Sequence, residues 1–258
     1  MKPIKLVLKA MLKTRLQTLL AAATLAVAGP AFAEGHALPY RFKPDTDNLA
    51  SVQRGARDFM NYCSGCHSMR NLRYSRIGQD LGISDDLLKA NLMFTSDKVG
   101  DHILSSMPAD SKAWFGQQPP DLTVEARYRG ADWVYNYLLT FYVDPSRPLG
   151  TNNLVLPGAS MPHVLWELQG LQVKKADEGE AHAEGGPESE ALFEPTTKGK
   201  LTPDEYRKFV ADTANFLAYA AEPGKAHRVS VGGKVILFLL LFTALAYLLK
   251  REYWKDVH

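Results

Sequence analysis

The sequence predicts a mostly α-helical protein with one C-terminal transmembrane helix, and three observations lead to this fold class. Apolar residues recur on one helical face before Cys63, a capped helical pattern follows Thr202, and an almost uninterrupted apolar run covers residues 235–249. At 258 residues the chain has room for one sizeable domain with appendages. Its composition is that of an ordinary globular protein, which argues against a wholly disordered chain.

Residues 1–33 have the features of a secretory signal peptide. A basic region runs to Arg15, an apolar stretch follows, and Ala31-Phe32-Ala33 fits an A-x-A cleavage site. The alternative is an uncleaved anchor, but the apolar stretch is short for a hydrocarbon core of about 30 Å. Removal of this segment leaves 25 basic against 28 acidic residues, so the mature chain is expected to be slightly acidic. The sequence has no basic stripe interleaved with aromatics, so we do not expect nucleic-acid binding.

Cys63-Ser64-Gly65-Cys66-His67 forms the pattern C-x-x-C-H, the attachment signature of a c-type haem. Two thiols three positions apart can each add to one vinyl group of a porphyrin, and the histidine that follows can bind the iron. Cys63 and Cys66 are therefore the candidate thioether residues, and His67 is the candidate proximal ligand. A zinc site would need four ligands, and the chain has only two cysteines. A thioredoxin-like redox pair would not need the histidine.

Helical patterns on both sides of this motif outline the domain. After an extended stretch to about Asp47, a helix is predicted to begin at Ala50 or Ser51 and to carry one apolar face, made of Val52, Ala56, Phe59, Met60 and Cys63. Ser84 is the predicted start of a further helix within the mixed residues 68–118.

A turn and a long loop are predicted in the middle of the chain. Pro119-Pro120-Asp121-Leu122 cannot be helical throughout and predicts a rigid turn. Residues 131–142 are apolar and rich in aromatics, which predicts a helix ending before Asp144-Pro145. Residues 145–162 are rich in Pro, Gly and Asn and are expected to form a loop.

Residues 174–200 are predicted to form a flexible acidic loop. Seven carboxylates fall within it: Asp177, Glu178, Glu180, Glu184, Glu188, Glu190 and Glu194. A solvated surface loop is one interpretation, and an acidic patch that steers a basic redox partner is the other.

The last two elements are a capped helix and an apolar helix. Thr202-Pro203-Asp204-Glu205 predicts a capping box, and the helix that follows should stop at Glu222-Pro223-Gly224. In small c-type domains the last helix packs across the first, and we expect the same here. The apolar run 235–249, extended by residues 231–234, predicts a membrane span, although a buried soluble helix is the alternative. Lys250, Arg251 and Lys255 place its C-terminal end in the cytoplasm by the positive-inside rule.

Several stretches together carry a resemblance to a known family. They are Arg54-Gly55 ahead of residues 62–69, Pro119-Pro120-Asp121-Leu122 followed by Ala126-Arg127 and residues 132–135, Ser160-Met161-Pro162, and residues 216–223 leading into the apolar helix. The chain resembles the cytochrome c1 family, the haem subunits of the quinol–cytochrome c oxidoreductase (cytochrome bc1 complex, respiratory complex III). The Pro-Pro-Asp-Leu stretch and the Ala-Ala-Glu-Pro exit are the specific parts of the match. Family members with extra cysteines can brace the haem pocket with a disulfide, which this chain lacks.

This resemblance implies a c-type cytochrome haem domain with insertions in residues 34–224, on the periplasmic side of a bacterial inner membrane. Residues 225–258 would be a transmembrane anchor with a short cytoplasmic tail. One covalent haem c is implied, with His67 and Met161 as axial ligands of its iron and Arg127 at a haem propionate.

The implied function is transfer of single electrons from a Rieske iron–sulfur protein to a soluble cytochrome c, with cytochrome b as a further partner in a dimeric complex. No residue is expected to act as acid, base or nucleophile, so whether the chain alone counts as an enzyme stays open. A free-standing membrane-anchored cytochrome c that donates to a terminal oxidase is the alternative, and a haem sensor is a third class.

The residues alone leave the sixth iron ligand open between two methionines. Ser106-Met107-Pro108 and Ser160-Met161-Pro162 are nearly identical, and both put a methionine before a proline. His102 and His163 could compete as nitrogen ligands, but we expect both to be surface residues. The Pro-, Gly- and Asn-rich loop ahead of Met161 and its match to the family favour Met161.

Overall fold

The computed structural model describes residues 38–175 and 192–255, so the predicted signal peptide and most of the acidic loop lie outside the described residues. The described helices are α1 (Leu49–Tyr62), α2 (Tyr74–Leu81), α3 (Asp85–Asn91), α4 (Ser111–Phe115), α5 (Glu125–Tyr128), α6 (Ala131–Leu139), α7 (Trp166–Gln169), α8 (Pro203–Ala221) and α9 (Lys225–Tyr253). The described strands form three antiparallel pairs, β1 (Met69–Arg73) with β2 (His102–Ile103), β3 (Phe141–Val143) with β4 (Thr151–Asn153), and β5 (Gln172–Lys174) with β6 (Phe193–Pro195). The mostly helical prediction is confirmed.

Helices α1 and α8 pack across each other and form the centre of the core, as the sequence predicts. The Asn48 side chain caps α1 by accepting from the Ser51 N–H at 3.2 Å. Thr202 and Glu205 form the predicted capping box at the start of α8, with Pro203 in its first position. The rings of Phe59 and Phe216 meet between the two helices with centroids 5.6 Å apart.

A buried carboxylate fixes the register of this crossing. Asp212 of α8, 5% exposed, accepts from Arg54 of α1 twice, from Nε at 2.6 Å and from Nη2 at 2.8 Å. It also accepts from Ser51 Oγ at 2.5 Å. Because a buried charge is costly unless it is paired, any sliding of α1 along α8 would lose these bonds.

Gly55 allows the close approach of the two helices, and we predict that Gly55→Ala strongly destabilises the domain. A Cβ there would lie 2.0 Å from the Asp212 carbonyl oxygen and 2.7 Å from Phe216 Cβ. Overpacking of this kind costs about 3 kcal/mol of unfolding free energy. Thermal unfolding of the full chain in detergent measures the effect. Gly100→Ala is the matched control because an added Cβ there meets nothing within 4 Å; equal melting temperatures for the two variants would contradict the prediction.

The helix predicted over residues 131–142 is wrong at its end. Helix α6 stops at Leu139, and the next residues form β3, which pairs Phe141 with Asn153 and Val143 with Thr151 in β4. Thr140 turns the chain here, since its Oγ1 donates back to the Asn136 carbonyl at 2.8 Å. Aromatic and β-branched residues favour the strand that follows. The loop predicted over residues 145–162 therefore contains one short strand.

Helix α9 is long and apolar enough to cross a membrane. Its stretch His227–Tyr253 contains a window with a mean hydropathy of 2.2, none of which is buried against the rest of the described chain. At about 1.5 Å per residue the 29 residues of α9 extend about 43 Å, enough for a hydrocarbon core of about 30 Å. The prediction of an apolar C-terminal helix is confirmed. The helix is longer than the apolar run 235–249, because it begins at Lys225 and ends at Tyr253.

Candidate functional site

A cavity lies where the end of α1, helix α6 and helix α8 meet. Cys63, Cys66, His67 and Met161 are all on its wall. Most of the rest of the wall is apolar, with side chains from α6 and α8 that include Trp133, Val134, Tyr137, Leu138 and Leu217. The structure thus brings the sequence-predicted thioether residues and both predicted iron ligands to one apolar cavity.

A hydrogen bond to the Pro-Pro-Asp-Leu turn orients His67. Its Nδ1 lies 2.8 Å from the Pro120 carbonyl oxygen. A carbonyl oxygen can only accept, so Nδ1 carries the proton and Nε2 keeps its lone pair for a metal. Burial lowers the pKa of His67, which favours the neutral imidazole that ligation requires. This donor arrangement fits a haem iron.

The two thiols of the motif do not have the properties of a redox-active pair. Cys63 and Cys66 are not joined to each other. Burial raises the pKa of Cys63 to about 12, with Asp58 and Cys66 adding to the shift, and burial also raises the pKa of Cys66. A thioredoxin-like site needs a thiol with a lowered pKa, so this environment argues against that alternative.

The structure separates the two candidate methionines. Met161 is half-buried on the cavity wall between Ser160 and Pro162. Met107 is not among the described residues that line the cavity, and its backbone N–H donates to Ser105 Oγ at 2.9 Å. Of these two methionines, Met161 is the one that shares the cavity with His67.

Arg127 lies away from the cavity, and Arg129 lies on its wall. The Arg127 side chain is 69% exposed, and its Nη1 is 3.8 Å from Oε1 of Glu222. Arg129 Nε donates to Glu125 Oε1 at 2.5 Å, and its guanidinium stacks over Trp133 at 4.4 Å from the ring centroid. Sequence reasoning missed Arg129, although its place four residues after Glu125 is a recognisable helical ion-pair spacing.

The expectation that His163 lies at the surface is wrong. Its side chain is 6% exposed and stacks on Phe141, with ring centroids 5.1 Å apart and planes at 3°. Burial lowers the pKa of His163 to about 4, so the ring is neutral at physiological pH. His102 is half-buried in β2. Neither histidine is among the described residues that line the cavity.

The comparison with known protein families decides the assignment. A model of the cytochrome C1 family matches residues 44–257. The chain belongs to the cytochrome c1 family. It is 48% identical over 215 residues to cytochrome c1 of Allochromatium vinosum, covering 83% of this chain and 87% of that protein. Members of the cytochrome c1 family carry covalently bound haem c, and haem c is the cofactor here.

Two further relatives are similar to this chain over most of their own length. The chain is 42% identical over 215 residues to the ammonia monooxygenase gamma subunit of Nitrosomonas europaea, covering 83% of this chain and 86% of that one. It is 30% identical over 238 residues to cytochrome c1 of Rhodospirillum rubrum, with 80% and 81% covered. The resemblance noted in the sequence is therefore confirmed as membership of the cytochrome c1 family.

Proposed function

We propose that this chain is the membrane-anchored haem subunit of a quinol–cytochrome c oxidoreductase and transfers single electrons. The observation that carries this function is the apolar cavity that gathers Cys63, Cys66, His67 and Met161. When bound, haem c supplies reversible one-electron chemistry at its iron. The chain holds the group, excludes water from one side of it and fixes its ligands.

Each of the four residues has a distinct role in this proposal. Cys63 and Cys66 would form the thioethers to the haem, and His67 would offer its Nε2 to the iron. Met161 would offer its thioether sulfur to the same iron. A His/Met pair raises the reduction potential, which suits an acceptor at the oxidising end of a quinol chain.

We assign the propionate contact to Arg129 in place of Arg127. Arg129 is the arginine on the cavity wall, and a guanidinium can bind a carboxylate with two parallel hydrogen bonds. Arg129→Gln should lower the reduction potential of the haem, because loss of a nearby positive charge favours the oxidised iron by an amount on the order of 1 kcal/mol. Redox titration of the purified chain measures this. Arg127→Gln is the matched control, and a larger shift there would favour the assignment implied by the family resemblance.

The proposed partners are a Rieske iron–sulfur protein as donor, a soluble cytochrome c as acceptor and cytochrome b beside α9, within a dimeric complex. Residues 34–224 would lie on the periplasmic side of a bacterial inner membrane, after removal of residues 1–33. The basic residues at the C-terminal end of α9, Lys250 and Arg251, support this orientation. The acidic loop 174–200 remains a candidate for steering the soluble partner, with Lys174, Lys175 and residues 192–200 as its described ends.

Purification in mild detergent tests the proposal against a free-standing cytochrome that feeds a terminal oxidase. We expect a b-type cytochrome and an iron–sulfur subunit to copurify with the chain in constant ratio, together with quinol-dependent reduction of cytochrome c. Isolation of the chain alone with its haem, or with an oxidase, would favour the alternative.

A further inference from the structure

The segment that follows the haem motif is bound to the Pro-Pro-Asp-Leu turn by one carboxylate. Asp121 Oδ2 accepts from the Arg70 N–H at 2.7 Å, across the gap between the two segments. Its Oδ1 accepts from Thr123 twice, from the backbone N–H at 2.9 Å and from Oγ1 at 2.5 Å. One side chain thus receives three hydrogen bonds and joins β1 to the turn.

Two further hydrogen bonds join the same two segments. The Thr123 hydroxyl accepts from the Asn71 N–H at 3.3 Å, and the Leu122 N–H donates to the Ser68 carbonyl at 2.9 Å. Thr123 is 3% exposed, so the hydroxyl is held out of water. Residues 68–71 and 121–123 are therefore joined by hydrogen bonds into one unit, which we call the Asp121 clamp.

The Pro120 carbonyl that orients His67 lies directly before this clamp. Pro120 has no N–H of its own with which to anchor the turn. The position of its carbonyl oxygen, 2.8 Å from His67 Nδ1, is therefore set by its neighbours, and Asp121, the next residue, is the one whose side chain binds the segment after His67.

We propose that Asp121 is a positioning residue that tunes the haem through His67. This inference rests on the proposed role of His67 as an iron ligand. A well-placed carbonyl at Nδ1–H raises the basicity of the imidazole, and a more basic imidazole stabilises the oxidised iron. Loosening the clamp weakens the bond between His67 and Pro120, so the haem becomes easier to reduce.

Two variants separate this mechanism from a simple loss of charge. Asp121→Asn removes a negative charge and leaves the Arg70 N–H without its anionic acceptor. Thr123→Val removes the hydroxyl links to Asp121 and Asn71 with no change of charge and almost none of volume. Asp110→Asn is the control, because Asp110 is exposed and its side chain accepts no capping hydrogen bond in α4.

The experiment is a redox titration of the full chain, with its haem, in the detergent-solubilised state. Both Asp121→Asn and Thr123→Val should shift the oxidised-to-reduced ratio at a fixed ambient potential towards the reduced form by up to about tenfold, which is about 59 mV for a one-electron couple. Hydrogen–deuterium exchange of peptides spanning residues 68–71 should become faster in the same two variants. Asp110→Asn should match the wild type in both measurements.

A wild-type potential and wild-type exchange in Thr123→Val would overturn the proposal, as would an Asp121→Asn shift no larger than that of Asp110→Asn. Failure of the proposed ligands is a separate result, because it would show as the absence of a low-spin histidine–methionine spectrum in the wild-type chain itself. Failure of the proposed complex would show as isolation of the wild-type chain without a b-type cytochrome. The potentials of the variants are interpreted only if the wild-type chain shows that spectrum, so these failures can be told apart from failure of the Asp121 proposal.

Discussion

Replacement of both Cys63 and Cys66 by alanine is expected to abolish covalent haem attachment completely. Each thioether bond needs one of these sulfurs, and the chain contains no other cysteine. Haem staining of a denaturing gel, together with the pyridine haemochrome spectrum, measures the loss. The single variants should each keep one thioether bond and show a shifted haemochrome band.

Ser64→Ala is the matched control for this experiment. Ser64 lies between the two cysteines, and its Oγ donates to the Met60 carbonyl at 2.7 Å, so the variant disturbs the same turn but keeps both thiols. It should retain covalent haem. Haem that stays on the denatured double-alanine chain would contradict the assignment of the motif.

Met161→Leu is expected to remove the weak sulfur-to-iron absorption band at the red end of the spectrum and to lower the reduction potential. Leucine fills a similar volume but cannot coordinate iron, and axial ligands alone move haem potentials over about 0.8 V. The haem should stay attached through Cys63 and Cys66. Optical spectroscopy of the oxidised chain and a redox titration measure both effects.

Met107 provides the control, because its neighbours in the sequence, a serine and a proline, are the same as those of Met161. Met107→Leu should keep the absorption band and the potential, because Met107 does not share the cavity with His67. The opposite pattern, with the band lost in Met107→Leu and kept in Met161→Leu, would make the ligand assignment wrong.

The long helices could be predicted from the sequence because their signals are local. The apolar face of α1, the capping box of α8 and the apolar run of α9 each depend on residues within a few turns of one another. The haem motif is local too. Family membership followed from motifs that are specific as linear sequence.

The parts that could not be predicted depend on contacts between distant segments. β2 has only two residues and exists because it pairs with β1, and His163 is buried because Phe141 and its neighbours cover it. Arg127 and Arg129 lie in different surroundings for a geometric reason. Side chains two positions apart on a helical turn point about 200° apart, so Arg129 lies on the cavity wall while Arg127 is exposed.

The cavity wall has a consequence for how the domain matures. The side chains of Trp133, Tyr137 and Leu217 that line it come from α6 and α8, whereas the attachment residues follow α1. With the proposed attachment at Cys63 and Cys66, α6 and α8 would fold onto a porphyrin already linked to the chain, so the local concentration of the porphyrin would be high regardless of its supply. The porphyrin would then form part of the core, and its contacts with the cavity wall would stabilise the folded chain relative to the unfolded chain. Attachment should therefore precede stable folding of the haem domain, and chains without haem should be more sensitive to added protease than chains that carry it.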